Sequence, residues 1–158
     1  MLNKHNQYFE NLHRLGCEYE EKRAAHQEKK QKIIDTFGWD SEELKAWYAE
    51  KEEMIFPFPT GVSKAYRAWA ESIAKGMDEV EMTDSTWERE RRDFVDALRK
   101  AGMESFVVTN ESTGLMKDLH GYAELGCTMM GLCTVTRRED RWGEEKETAV
   151  PGIRFSLK

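Results

Sequence analysis

The residues best placed to do chemistry lie in one stretch, Phe106-Val107-Val108-Thr109-Asn110-Glu111-Ser112-Thr113-Gly114-Leu115-Met116. It reads as a short buried strand, a polar turn and the first turn of a helix. Thr109, Asn110, Ser112, Thr113 and Gly114 would gather hydroxyls, an amide and free N–H groups at a helix N-terminus, where an anion or a nucleotide phosphate can be held. The same residue types serve as ordinary helix caps, contributing ~1 kcal/mol with no ligand present. Neither a P-loop nor a Rossmann glycine set occurs, and Glu111 would repel phosphate. Capping is the reading these residues favour, and a small anion- or nucleotide-binding regulatory domain is the alternative.

Other constellations carry less. His120, Cys127 and Cys133 match no zinc spacing and lack a fourth ligand, so neither a metal nor a cofactor is expected. Ser112 and His120 stand eight residues apart, about 12 Å along one helix, too far for a nucleophile and its base. His5, His13 and His26 are remote in sequence from any serine or cysteine turn. The carboxylates interleave with bases, and no acid/base couple stands out. No catalytic residues are assigned, and the chain is not expected to be an enzyme.

The elements that position these residues follow from periodicity. Residues 3–37 read as one long helix with the stripe Tyr8, Leu12, Leu15 and Tyr19, a charged middle, and a stop at Gly38. Asp40 and Glu43 suggest a capping box for a second helix carrying Leu44, Trp47 and Tyr48. Phe56-Pro57-Phe58-Pro59 breaks it, because each proline removes a donor and biases its predecessor to extended geometry. A third helix shows Val62, Tyr66, Trp69 and Ile73. After the acidic linker Asp78-Glu79-Val80-Glu81-Met82, Ser85 and Glu88 suggest a capping box for a fourth, with Trp87, Phe94 and Leu98 inward and Gly102 at its end.

The strand at about 105–109 and a helix from Thr113 to Leu125 come next. Residues 127–136, apolar on both faces, suggest a central strand, with Gly131 marking either a bulge or a close backbone approach. Arg137 to Glu147, carrying Trp142-Gly143, reads as a hairpin loop, and Ile153, Phe155 and Leu157 alternate as a last strand. The first two strands should pair in parallel and the last two as a hairpin. The fold class expected is α+β: an N-terminal helical region of about four helices, then a small β-α-β-β domain with a mixed three-stranded sheet. Residues 1–60 would form an arm and connector, and 61–158 one compact unit.

Of 158 residues 34% are charged, and the formal net charge is −6. The acidity is spread evenly, with no basic face for a phosphate backbone, so direct nucleic-acid binding is not expected. No apolar run approaches the ~20 residues that span a bilayer, and nothing resembles a signal peptide. Three cysteines in no disulfide spacing suggest a reducing, cytoplasmic setting.

Several stretches carry a resemblance: Phe94-Val95-Asp96-Ala97-Leu98-Arg99-Lys100-Ala101-Gly102, Ser105-Phe106-Val107-Val108-Thr109, Ser112-Thr113-Gly114-Leu115, Leu125-Gly126-Cys127, Gly131-Leu132 and Val150-Pro151-Gly152-Ile153-Arg154-Phe155. Together they resemble a domain of unknown function found in small proteins of gut clostridia and their relatives, often on conjugative or other mobile elements. The matching residues are mostly turn glycines and core positions, and the resemblance supplies no catalytic residues. It implies an accessory protein that binds a host or element protein, with inhibitors of CRISPR effectors such as Cas9 as one such class. The surfaces expected to dock are Tyr8, Leu12, Leu15 and Tyr19 on the arm, and Phe56 and Phe58 in the connector. The arm could also pair two copies into a homodimer.

Overall fold

The computed structural model describes residues 1–50 and 54–158. Five helices and four strands follow one another as α1 (Gln7–Phe37), α2 (Glu42–Glu50), α3 (Thr60–Ala74), β1 (Val80–Met82), α4 (Glu88–Lys100), β2 (Ser105–Val108), α5 (Leu115–Glu124), β3 (Thr128–Arg141) and β4 (Glu144–Ser156). They fall into two compact units, one of Met1–Glu10 with Phe58–Lys158, the other of Asn11–Pro57.

The larger unit is an α+β domain whose mixed sheet has four strands rather than three, in the order β1-β2-β4-β3. Its extra strand, β1, occupies the segment expected to be an acidic linker. All three of its residues are buried. Val80 and Met82 point one way into the apolar core, while Glu81 between them is neutralised by cationic partners described below. The β1 edge is blunted by α3, where the Glu81 N–H donates to Ser72 Oγ at 2.8 Å.

The parallel pair is β1 with β2, joined through α4. The parallel pairing expected between residues 105–109 and 127–136 does not form, because β4 lies between them and is antiparallel to both. Nor is β3 central. It is an edge strand whose Met130 and Leu132 are exposed and of which only Val135 is buried. The bulge at Gly131 is present, at a φ of +129°. The expected loop from Arg137 to Glu147 is instead strand on both sides of a two-residue turn. Opposite charges face each other at Arg138–Glu147, Glu139–Lys146 and Arg141–Glu144, so a ribbon wet on both faces has the composition of a loop.

One sheet face carries Phe106 and Phe155, stacked at 5.5 Å between ring centres, under Phe94 of α4 and Tyr122 of α5. All four rings are fully buried. The other face packs Met77, Val107 and Val135 with half-buried Cys133 and Val150. Helices α3 and α4 approach closely at Gly61, where an added Cβ would lie 2.2 Å from the Glu90 carbonyl oxygen. Trp87, expected inward, is exposed at the start of α4.

The smaller unit contains most of α1, which turns at Gly38 (φ +90°) into α2. Ser41, rather than the expected Asp40, caps α2: its Oγ accepts the Leu44 N–H at 3.2 Å. Ile34, Leu44 and Trp47 form the unit's core, with Ile33 packed against them.

Candidate functional site

The strand–turn–helix at 106–116 is built as expected, but its polar groups are engaged internally. Thr109 Oγ1 donates to Glu81 at 2.7 Å. Asn110, itself buried, accepts the Ser112 N–H at 2.7 Å and donates to Asp118 Oδ2 at 3.1 Å. Ser112 Oγ accepts the Gly114 N–H at 3.3 Å. Thr113 is exposed and Gly114 half-buried, and no side-chain cap bond forms at the head of α5. In place of an external anion, the first turn of α5 holds the carboxylate of Asp118, whose residue is 1% exposed.

Asp118 gathers the loops that follow the two parallel strands. Its Oδ1 accepts from Thr86 N–H (3.2 Å), Thr86 Oγ1 (3.1 Å) and Arg91 NH2 (3.2 Å), and its Oδ2 from Ser85 Oγ (2.8 Å) and Asn110. Ser85 therefore points to Asp118 and does not cap α4. The α4 cap is Glu90, whose carboxylate accepts the Trp87 N–H at 3.3 Å. Arg91 also donates to the Thr86 carbonyl at 3.1 Å, and Tyr122 OH lies 3.1 Å from Thr86 Oγ1. Burial pushes the Tyr122 hydroxyl far above the ordinary tyrosine value. Five donors reach the Asp118 carboxylate, from Ser85, Thr86, Arg91 and Asn110. These bonds tie the loop after β1 to the loop after β2 and to α5.

A second buried carboxylate, Glu81, ties the other face of the sheet. It pairs with Arg137 of β3, with Lys75 Nζ at 3.5 Å and with Thr109. The Arg138 N–H donates to the Lys75 carbonyl at 3.0 Å, fixing the ribbon against the end of α3. Burial pushes the Arg137 guanidinium pKa down, but Glu139 and Glu81 beside it outweigh that and raise it.

Among the described residues no three metal-binding side chains converge. His120 is exposed, Cys127 is buried with its thiol pushed up by burial, and Cys133 is half-buried. Of the residues expected to dock a partner, Leu12 is buried, Tyr8, Leu15, Tyr19 and Phe58 are half-buried, and Phe56 is exposed. Within the smaller unit Phe56 packs edge-on against Tyr19 at 5.0 Å.

The exposed feature that sequence reasoning passed over is the tip of the β3–β4 ribbon. Trp142 and Gly143 form the two-residue turn with φ of +61° and +80°, and Trp142 is fully exposed. Such turns favour Asn-Gly, because an L side chain with a bulky ring is strained at positive φ. The Asp140 carboxylate braces the turn by accepting the Gly143 N–H at 2.9 Å. Glu139, Asp140, Glu144 and Glu145 flank the turn in sequence, where Glu139 pairs with Arg137 and Arg141, Glu144 with Lys146 and Glu145 with Arg138. The signal was a Trp-Gly pair in turn register between charged, alternating strands.

Comparison with curated proteins and with solved structures finds no match. A family model does match, over residues 64–157, and that span holds β1 to β4, the Asp118 and Glu81 clusters and the Trp142 ribbon. The chain therefore belongs to the family defined by this domain of unknown function, DUF7698.

Proposed function

We propose that this chain is a non-enzymatic accessory protein that works by protein–protein contact, and that the β3–β4 ribbon presents Trp142 to the partner. The carrying observation is Trp142 itself, fully exposed on a left-handed turn where the fold would favour a small residue. That backbone costs about 1–2 kcal/mol for an L residue, and the indole recovers nothing from packing. Tryptophan is also among the residues that most often dominate binding energy once buried in a partner pocket. The exposed indole suits a protein pocket with an apolar floor, and the paired charges beside it form no basic face for a phosphate backbone.

The buried polar clusters support the same reading, since their groups are spent on holding loops together. The resemblance to proteins of mobile elements makes host defence nucleases, CRISPR effectors such as Cas9 among them, the first partners to test. The experiment is co-purification with a panel of such effectors together with a DNA-cleavage assay, run on the chain and on Trp142→Asn. Binding or inhibition that the substitution abolishes is expected. No binding and no inhibition across the panel would sink the defence role, and binding indifferent to Trp142 would sink the ribbon assignment.

A further inference from the structure

The two edges of the sheet are treated differently. The β1 edge is bonded to Ser72 of α3, whereas β3 ends the strand order on the other side. The register fixes which β3 groups point outward. The hairpin closes on Arg141 and Glu144 across a two-residue turn, so odd-numbered residues from Cys133 to Arg141 bond to β4 and even-numbered ones face away. Two observations agree with this. The Arg138 N–H leaves the sheet for the Lys75 carbonyl at 3.0 Å, and Pro151, which has no N–H to give, stands opposite Thr134.

Leu132, Thr134 and Thr136 therefore present an N–H and a C=O each along one row, with no hydrogen-bond partner among the described residues. The row is bounded by the bulge at Gly131 and by the Lys75 bond at Arg138. From Leu132 to Thr136 it spans about 13 Å. Open edges are commonly guarded by charge or proline. Here neither occurs from Thr128 to Thr136, although 34% of the chain is charged. The side chains are equally unguarded. Leu132 is 89% exposed, Thr134 and Thr136 are exposed, and Ile153, Pro151 and Ala149 stand across from them on the same face.

We propose that an extended, uncharged segment of a partner protein, about five residues long, adds to the sheet as a fifth strand along Leu132, Thr134 and Thr136. A strand supplies backbone donors and acceptors at the spacing of this row, while a helix has spent its own internally. Alternate side chains of the segment would lie beside Leu132 and the uncharged face it shares with Ile153. A second whole copy does not fit the same row. Antiparallel pairing about Thr134 would place its Met130 opposite Arg138, where the Lys75 carbonyl already sits. The proposal rests on the reading of this chain as a protein-binding one, but not on Trp142, which lies six residues beyond Thr136.

The experiment is selection from a random twelve-residue peptide library on the immobilised full chain. Enriched peptides are then titrated against the chain and against Thr134→Pro and Leu132→Lys. The first change removes an outward N–H that the fold does not use, and the second puts a charge on an exposed edge position, so both proteins should fold. The selected peptides should share a proline-free, uncharged stretch with alternating apolar residues. Each change should weaken binding by at least about tenfold. Trp39→Lys, at an exposed apolar residue of the smaller unit, should bind as the parent does. Hydrogen exchange at the amides of Leu132, Thr134 and Thr136 should slow when peptide binds. A library with no enriched peptide, peptides indifferent to both edge changes, or unaltered exchange at those three amides would overturn the proposal. So would protection of the three amides that rises with chain concentration in the absence of peptide, since the occupant would then be a second copy. Failure here leaves the effector co-purification standing, because that assay reads Trp142.

Discussion

Replacing Asp118 by alanine removes the acceptor for five donors at once. The Arg91 guanidinium, on a side chain only 10% exposed, then lies buried without its counter-charge. Breaking a buried pair by deleting one partner costs about 3–5 kcal/mol, most of it from the charge left behind. The reciprocal change, Arg91→Met, is milder. It leaves the carboxylate with Ser85, both Thr86 donors and Asn110, and should cost about 1–3 kcal/mol. Against a typical total of 5–15 kcal/mol, the first loss is large. At about 2–4 °C per kcal/mol for a chain of this size, Asp118→Ala should lower Tm by roughly 6–20 °C. Differential scanning calorimetry on both variants measures this. An Asp118→Ala protein within about 0.5 kcal/mol of the parent, or an Arg91→Met protein that loses more, would refute the view that the cluster is a structural hub.

Three further outcomes follow from the same geometry. Gly61→Ala should cost about 1–3 kcal/mol, since the new Cβ meets the Glu90 carbonyl and the Phe94 amide nitrogen, backbone atoms that cannot rotate away; an unchanged Tm would contradict the close α3–α4 approach. Glu81→Ala leaves Arg137 with Glu139 alone and loosens Lys75, so the Arg138 amide bonded to Lys75 should lose hydrogen-exchange protection while amides of α5 keep theirs; equal protection throughout would count against this tether. Glu90 titrates below the ordinary glutamate range, because the Lys64 ammonium at 2.8 Å and the Trp87 N–H outweigh the upward push of burial. Its folded pKa is depressed, so its contribution is complete above the unfolded value of about 4.3 and is lost as pH falls through the folded one. Glu90→Gln should therefore flatten the acid limb of a Tm–pH profile, and an unaltered limb would remove Glu90 from that account.

Much of this fold was legible because glycine and apolar spacing act locally. Gly38, Gly102 and Gly126 stop helices at positive φ as read from sequence, and of the two readings open for Gly131, bulge or close approach, the structure shows the bulge. Phe94, Leu98, Leu119 and Tyr122 are buried on the predicted helix faces. The failures were tertiary. β1 is three residues long with a glutamate at its centre, and only the distant Arg137 and Lys75 make that glutamate tolerable in a buried strand. The ribbon was hidden by its charge, since a two-stranded element wet on both faces needs no apolar alternation. The Asp118–Arg91 pair left a usable trace that went unread. Asp118 falls on the stripe of Leu115, Leu119 and Tyr122, and Arg91 lies three residues before Phe94 and seven before Leu98, so both had to be buried and paired.

The central claim is that Trp142 is retained for contact with a partner and contributes nothing to the fold. Equilibrium unfolding of Trp142→Asn tests it most directly. Asparagine suits the first position of this turn, and the indole it replaces touches only water. The account predicts a midpoint at or above that of the parent, with a gain of up to about 1 kcal/mol from relief of the strained backbone. A loss of more than about 1 kcal/mol would mean that the indole packs within the chain, and would contradict the claim.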